Sequence, residues 1–229
     1  MQVQISPSLM CMDLVHFAEQ IRFFDVHAHF LHIDIIDGHY VRNFALSPYF
    51  MKDVARLTTV PMDAHLMTTD PADFLEMMAK AGARWISPHA ETIDRFAFRT
   101  INAIRDLGCR PGIVLNPATP LDTIRHYIHL IDKITFLTVD PGYAGQPFIR
   151  EVMDKVAEAR ALRGQRGLAF LIEIDGACNR STFPELIKAG ADVLVVGSSG
   201  LFGLDPDISR AWEIMCADLA AAGASLRQP

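Results

Sequence analysis

Apolar residues in this chain come in short dense runs, and the runs recur roughly every 28 residues, a spacing suited to β/α units. Val3–Leu9, Phe30–Ile36, Met62–Met67, Trp85–His89, Pro111–Leu115, Ile134–Asp140, Phe170–Asp175 and Val193–Gly197 read as strands, apolar on both faces. Segments of helical spacing lie between them, among them Pro71–Ala81, Asp94–Leu107, Glu151–Arg163 and Thr182–Ala189. Ala79–Trp85 and Ile187–Val193 echo each other: each carries a glycine, Gly82 or Gly190, where a helix must end in left-handed geometry before the next strand. This alternation predicts an α/β fold with a parallel sheet. Eight units favour a (β/α)8 TIM barrel, one domain over 1–229, above an open doubly wound sheet. An open sheet tends to place a glycine-rich turn after its first strand, and Ser6-Pro7-Ser8-Leu9-Met10 contains no glycine.

The polar residues inside these runs matter more than the apolar ones. His32 and Asp34 interrupt Phe30–Ile36 two residues apart, so an extended chain projects both from one face. Burying a carboxylate without a partner is costly, so that face needs a metal ion or a proton to be moved. In a barrel, chemistry belongs at the C-terminal ends of the strands. Those ends carry Ser8, the His32/Asp34 pair, His65, His89, Asn116, Asp140-Pro141-Gly142, Asp175-Gly176 and Gly197-Ser198-Ser199-Gly200. Two histidines and two aspartates from strands 2, 3 and 7 can meet at one point and suit a divalent cation: zinc first, with manganese, cobalt or iron as alternatives. Each has a plainer reading: a lone strand histidine is more often a hydrogen-bonded core residue, and Asp175 before glycine equally suits a turn or cap. His27 and His29 precede strand 2 and read as structural. His126 and His129 fall in a helical segment facing solvent, and His89 reads equally as a support behind the metal or as a buried hydrogen-bonded residue. The small residues after strands 6, 7 and 8 permit close approach of backbone amides to a phosphate, or are simply tight turns. These three loops contain no lysine or arginine.

Composition narrows the setting. Half of the 229 residues are hydrophobic, 21% are charged, and the formal net charge is −6. An acidic chain lacks the basic face of a nucleic-acid binder. No apolar run is long enough for a membrane span, and no secretory signal is expected at Met1–Gln4. Cys11, Cys109, Cys178 and Cys216 lack metal-type spacing and read as reduced thiols of a cytoplasmic protein. A Schiff-base aldolase needs a lysine at a strand's C-terminal end. Lys133 precedes strand 6, and Lys52, Lys80, Lys155 and Lys188 read as helical.

Taken together, Ile5–Leu9, His32–Gly38, His65-Leu66-Met67, Val139–Gln146, Asp175-Gly176 and Gly197-Ser198-Ser199 resemble the ribulose-phosphate 3-epimerase family, in family order and across nearly the whole chain. Ser8–Asp13, Ala144 and Asp175–Asn179 resemble most closely its branch acting on D-allulose 6-phosphate. The resemblance implies a metal held by His32, Asp34, His65 and Asp175, with Asp34 and Asp175 doubling as the acid/base pair. It implies substrate contacts from Ser8, His65 and Asp175, and from three loops: Gly142, Tyr143, Ala144 and Gly145; Gly176 and Ala177; Gly197, Ser198 and Ser199. The implied reaction interconverts D-allulose 6-phosphate and D-fructose 6-phosphate by two-base transfer at C3 through a metal-stabilised cis-enediolate. D-ribulose 5-phosphate/D-xylulose 5-phosphate epimerisation is the first alternative, and a non-catalytic phosphosugar-binding barrel the second. A homo-oligomer is implied as well. Three positions depart from the family: Ile36 and Leu137 replace methionines, and Arg42, replacing a proline, offers a further contact to an anionic substrate.

Overall fold

Each apolar run becomes a parallel strand in the computed structural model, which describes residues 1–228. These are β1 (Gln2–Pro7), β2 (Leu31–Ile36), β3 (Met62–Met67), β4 (Ala83–Pro88), β5 (Arg110–Leu115), β6 (Lys133–Leu137), β7 (Leu171–Asp175) and β8 (Val193–Val196). A ninth strand that the sequence did not suggest, β9 (Ser225–Leu226), completes a curled sheet of order β2-β3-β4-β5-β6-β7-β8-β1-β9. Helices α1 (Phe17–Phe24), α2 (Pro48–Val54), α3 (Ala72–Lys80), α4 (Ala90–Ile93), α5 (Ala97–Asp106), α6 (Val152–Arg166), α7 (Phe183–Ala189) and α8 (Ile208–Ala221) lie in the crossovers. Gly82 and Gly190 have φ of 101° and 104°, the left-handed helix ends expected of them.

Three expectations need correction. The helix expected over Asp94–Leu107 begins only at Ala97, because the chain first makes the short α4 and breaks at Asp94–Phe96. No α-helix follows β5: the stretch with His126 and His129 forms the 3-10 turns Leu121–Ile124 and Ile128–Leu130, although both histidines are exposed as anticipated. Lys133 does not precede the sixth strand but opens it, and it is buried.

Alternation along the strands stacks the inside of the curl in layers. At the N-terminal end Phe30, Trp85 and Val193 form an apolar plug, with Phe30 and Trp85 edge to face at 4.9 Å. Two residues beyond Phe30 lies His32, and buried polar groups from other strands gather beside it: Asp63, Lys133 and Glu173. Two residues beyond His32, Asp63 and Glu173 stand Asp34, His65 and Asp175, with Asp34 in register with His65 and Asp175 with Leu137. The i, i+2 rule that drew attention to His32 and Asp34 thus organises the whole interior.

The two strands a full barrel would zip together are joined unusually. The outer edge of β1 is shared: Gln2 and Val3 pair with Ser225 and Leu226 of β9, while higher up the Ile5 carbonyl accepts from the His29 backbone N–H at 3.1 Å and Ser8 bridges His32. No continuous β1–β2 ladder is formed, so the observed architecture is a curled nine-stranded parallel sheet in barrel order.

His29 clasps this seam. The Ile5 N–H donates to Nδ1 at 3.1 Å, so the neutral ring carries its hydrogen on Nε2, which donates to the Arg227 carbonyl at 2.7 Å. Burial, aided by the nearby Arg227 charge, lowers its pKa below the usual histidine value. The unfolded chain therefore takes up a proton at about pH 6.5 that the native ring resists, so this contribution is complete above that pH and fades below it. Urea midpoints measured from pH 8 to pH 5 are expected to fall less steeply for His29→Gln than for the wild type. Parallel curves would contradict the assignment.

Candidate metal centre and substrate pocket

Four donor atoms meet at the C-terminal ends of β2, β3 and β7. His32 Nε2 lies 3.1 Å from His65 Nδ1, 3.4 Å from Asp34 Oδ1 and 3.5 Å from Asp175 Oδ2. His65 Nδ1 lies 3.1 Å from Asp34 Oδ1 and 3.7 Å from Asp175 Oδ2. Ligands about 2.0–2.1 Å from a tetrahedral cation stand about 3.3–3.4 Å apart, the edge of that tetrahedron, so both donor set and spacing fit a divalent ion. His32, Asp34 and His65 are buried, whereas the Asp175 side chain is 19% exposed at the mouth.

The electrostatics agree with that use. Burial opposes charge on both His32 and Asp34, yet each is forced into its ionised form by its neighbours. Asp34, Asp175 and Asp63 hold the His32 pKa well above the ordinary range, and His32 and His65 hold the Asp34 carboxyl far below its own. Carboxylates gathered in this way favour positive charge at the site. Asp34 divides its oxygens: Oδ1 faces the histidines, and Oδ2 accepts from Ser8 Oγ at 2.8 Å.

Beneath lies a second acidic group, His32, Asp63 and Glu173. Its cation is already present, since Lys133 Nζ donates to Glu173 Oε1 at 2.6 Å and to Asp63 Oδ2. Ser87 Oγ and Thr135 Oγ1 complete the network, donating to Asp63 Oδ1 at 2.6 Å and Glu173 Oε1 at 2.7 Å. Asp63 Oδ2 also stands 3.1 Å from His32 Nδ1, an ion-pair distance without hydrogen-bond alignment. Sequence reasoning missed this layer, although Asp63 and Glu173 precede His65 and Asp175 by the same two residues that separate His32 from Asp34.

On the far side, His65 Nε2 lies 2.9 Å from His89 Nε2, and His89 Nδ1 lies 2.8 Å from the Tyr40 hydroxyl, which accepts from Asn116 Nδ2 at 2.7 Å. His89 was anticipated here. Tyr40 was not, because nothing in a loop sequence signals a contact with a strand end.

One pocket opens over the four donors. Ser8, Asp34, His65 and Asp175 line it, with Gly142–Gly145, Gly176, Ala177 and Gly197–Ser199, so all the predicted substrate-contacting residues share this cavity. His32 sits below its floor. Met10, Met67, Leu137, Val139 and Val195 supply apolar walls; Ile36 is buried outside the pocket. After Asp175 the chain turns through two left-handed residues, Gly176 at φ 109° and Ala177 at φ 48°. Alanine there costs on the order of 1 kcal/mol, held by Thr182 Oγ1 donating to its carbonyl at 2.6 Å. The loop after β2 reaches the loop after β6: Asn43 Nδ2 donates to the Gly142 carbonyl, and the Tyr143 hydroxyl to that of Arg42, both at 2.6 Å. Gly142 has φ 105°, and a Cβ there would stand 2.8 Å from Val41 Cγ2, so only glycine fits. Arg42 contributes its carbonyl; its side chain is exposed and does not line the pocket, contrary to the anionic contact expected of it.

The profile of the Ribulose-phosphate 3 epimerase family matches residues 4–202. This chain belongs to that family. The ribulose-phosphate 3-epimerase of Bacillus subtilis is 38% identical over 201 residues, covering 86% of this chain and 91% of the relative. Ribulose-phosphate 3-epimerase 2 of Cupriavidus necator is 37% identical over 210 residues, covering 90% and 87%. As a member of the ribulose-phosphate 3-epimerase family the chain is an isomerase acting on carbohydrates. Among solved structures, the KGPDC of Streptococcus mutans superposes with a TM-score of 0.72 over 96% of this chain and 98% of its own, at 12% identity. A 3-hexulose-6-phosphate synthase gives 0.67 over 96% and 99%, at 15% identity. At such identities these two show the fold alone. No helix among the described residues is long and apolar enough to cross a membrane.

Proposed function

We propose that this epimerase inverts C3 of a ketose phosphate, with D-ribulose 5-phosphate and D-xylulose 5-phosphate as the favoured pair. The observation that carries the reading is the placement of two carboxylates, Asp34 from β2 and Asp175 from β7, at one pocket, each turning an oxygen to the same pair of histidines. His32, Asp34, His65 and Asp175 would hold the divalent cation, zinc being the natural first choice. Such an ion supplies a Lewis acid at the substrate oxygens beside C3.

The chain's own residues do the rest. One aspartate removes the C3 proton and the other returns a proton to the opposite face; which is base depends on the epimer bound. Ser8 holds Asp34 Oδ2 in a fixed direction toward the pocket. The apolar walls exclude water, and the small-residue loops at Gly142–Gly145, Gly176-Ala177 and Gly197–Ser199 seat the sugar and its phosphate. The proposal places this site on a closed (β/α)8 barrel, one domain over 1–229, with β1 and β2 meeting at the seam described above.

A hexulose 6-phosphate substrate stands as the second reading, favoured by Ala144 and Ala177 in the pocket lining and by the Ser8–Asp13 segment. Turnover in heavy water is expected to place deuterium at C3 of the product, with higher kcat/KM for the pentulose. Product free of deuterium would exclude two-base exchange with solvent. A preference for D-allulose 6-phosphate would establish the second reading instead. One methylene discriminates by about 1–3 kcal/mol, so turnover of both substrates is expected.

A further inference from the structure

A histidine offers a metal one nitrogen, and the hydrogen bond made by its other nitrogen decides which one. His65 turns Nδ1 to the four-donor cluster and Nε2 to the 2.9 Å contact with His89 Nε2. Two ring nitrogens at that distance share one hydrogen: one must donate and the other accept. The contact can therefore run in either of two directions, and only one leaves His65 Nδ1 with a free lone pair.

We propose that His89 is a positioning residue that accepts the His65 Nε2 hydrogen, fixing the tautomer in which His65 Nδ1 faces the cation. The inference rests on the metal reading above. The surroundings of His89 select this direction. Its Nδ1 lies 2.8 Å from the Tyr40 hydroxyl and 3.6 Å from Glu91 Oε2. A carboxylate is an acceptor only, so this side of the ring favours a hydrogen on Nδ1. A neutral imidazole carries a single hydrogen, on one nitrogen or the other. A hydrogen on Nδ1 leaves Nε2 as the acceptor that His65 requires. Asn116 Nδ2 donates to the Tyr40 hydroxyl and anchors the outer end of the chain.

The arrangement also joins the pocket mouth to the metal position. Tyr40 lies in the loop whose Asn43 grips the Gly142 carbonyl, and Asp37 closes that loop by accepting from the His39 and Tyr40 backbone amides at 2.8 Å. Two side chains, His89 and Tyr40, thus link His65 to the loop over the pocket, and neither lines the pocket.

Zinc titration of the full chain against a chromophoric chelator, together with ¹⁵N spectra of the histidine rings, tests this. In the zinc-loaded wild type, His65 is expected to be protonated at Nε2, and His89 at Nδ1 but not at Nε2. His89→Phe is expected to weaken zinc binding by about 10–100-fold, and His89→Gln, whose carbonyl can accept the same hydrogen, to recover most of it. A wild type that binds no zinc removes the metal reading and this inference together. A wild type that binds zinc with His89 protonated at Nε2, or a His89→Phe chain that binds it equally well, overturns the inference alone. The ring spectra decide the matter if His89→Phe does not fold.

Discussion

Asp34→Asn and Asp175→Asn are each expected to lower turnover by about 10²–10⁴-fold while leaving a folded protein, the range over which a positioned acid or base contributes. Both residues also face the cation position, so zinc content must be measured beside rate. Asparagine preserves the shape of Asp34, and its carbonyl oxygen can still accept from Ser8. Asp175 sits partly exposed at the mouth, so its replacement disturbs packing even less. The asymmetry makes a further expectation: Asp34→Asn, next to two buried histidines, shifts the unfolding midpoint more than Asp175→Asn does. A coupled assay with circular dichroism on the same preparations checks both statements. Near wild-type turnover by either variant would end the two-base scheme.

The largest expected loss of stability lies one layer lower. Lys133 is the ammonium between Asp63 and Glu173, above an apolar plug that keeps water away. Its pKa is raised despite burial, because the two carboxylates outweigh the desolvation. Lys133→Met leaves both carboxylates without their cation, and breaking a buried pair in this way costs about 3–5 kcal/mol. The loss comes from stranded charge rather than from the missing attraction. Combining Lys133→Met with Asp63→Asn and Glu173→Gln is therefore expected to restore most of it, since uncharged groups pay less to be buried. Urea denaturation at neutral pH measures each. A loss below about 1 kcal/mol in Lys133→Met, or no recovery in the triple variant, would contradict a charge-driven origin.

What was legible in the sequence follows from how a curled parallel sheet is built. Strands buried on both faces produce continuous apolar runs, so β1 to β8 stood out, and polar residues near their C-terminal ends were conspicuous, whereas Asp63 and Glu173, two residues earlier, were passed over. His32, Asp34, His65 and Asp175 were found on that ground, and the structure brings them to one point. Gly82 and Gly190 marked helix ends because few other residues tolerate their backbone angles. The interior charges were harder. Lys133 sits at the first residue of its strand, where a lysine looks like a solvated approach, and only its side-chain contacts with Asp63 and Glu173 show that it points inward. Tyr40 escaped because a loop has no period from which to infer a neighbour. Beyond β5, tight 3-10 turns replace a helix, tied down by Lys155 Nζ donating to the Asn116 and Thr119 carbonyls at 2.7 Å, a contact between segments with no pattern in common. β9 has only two residues and no signature at all.

That last strand bears on how the protein is made. Gln2 and Val3 are translated long before Ser225 and Leu226, and the backbone groups on their outer edge wait for these distant partners. Throughout synthesis this edge is an open template on which a second nascent chain can pair. Slower translation at low temperature, which lowers the number of such chains present at once, is the condition under which the most native enzyme should accumulate.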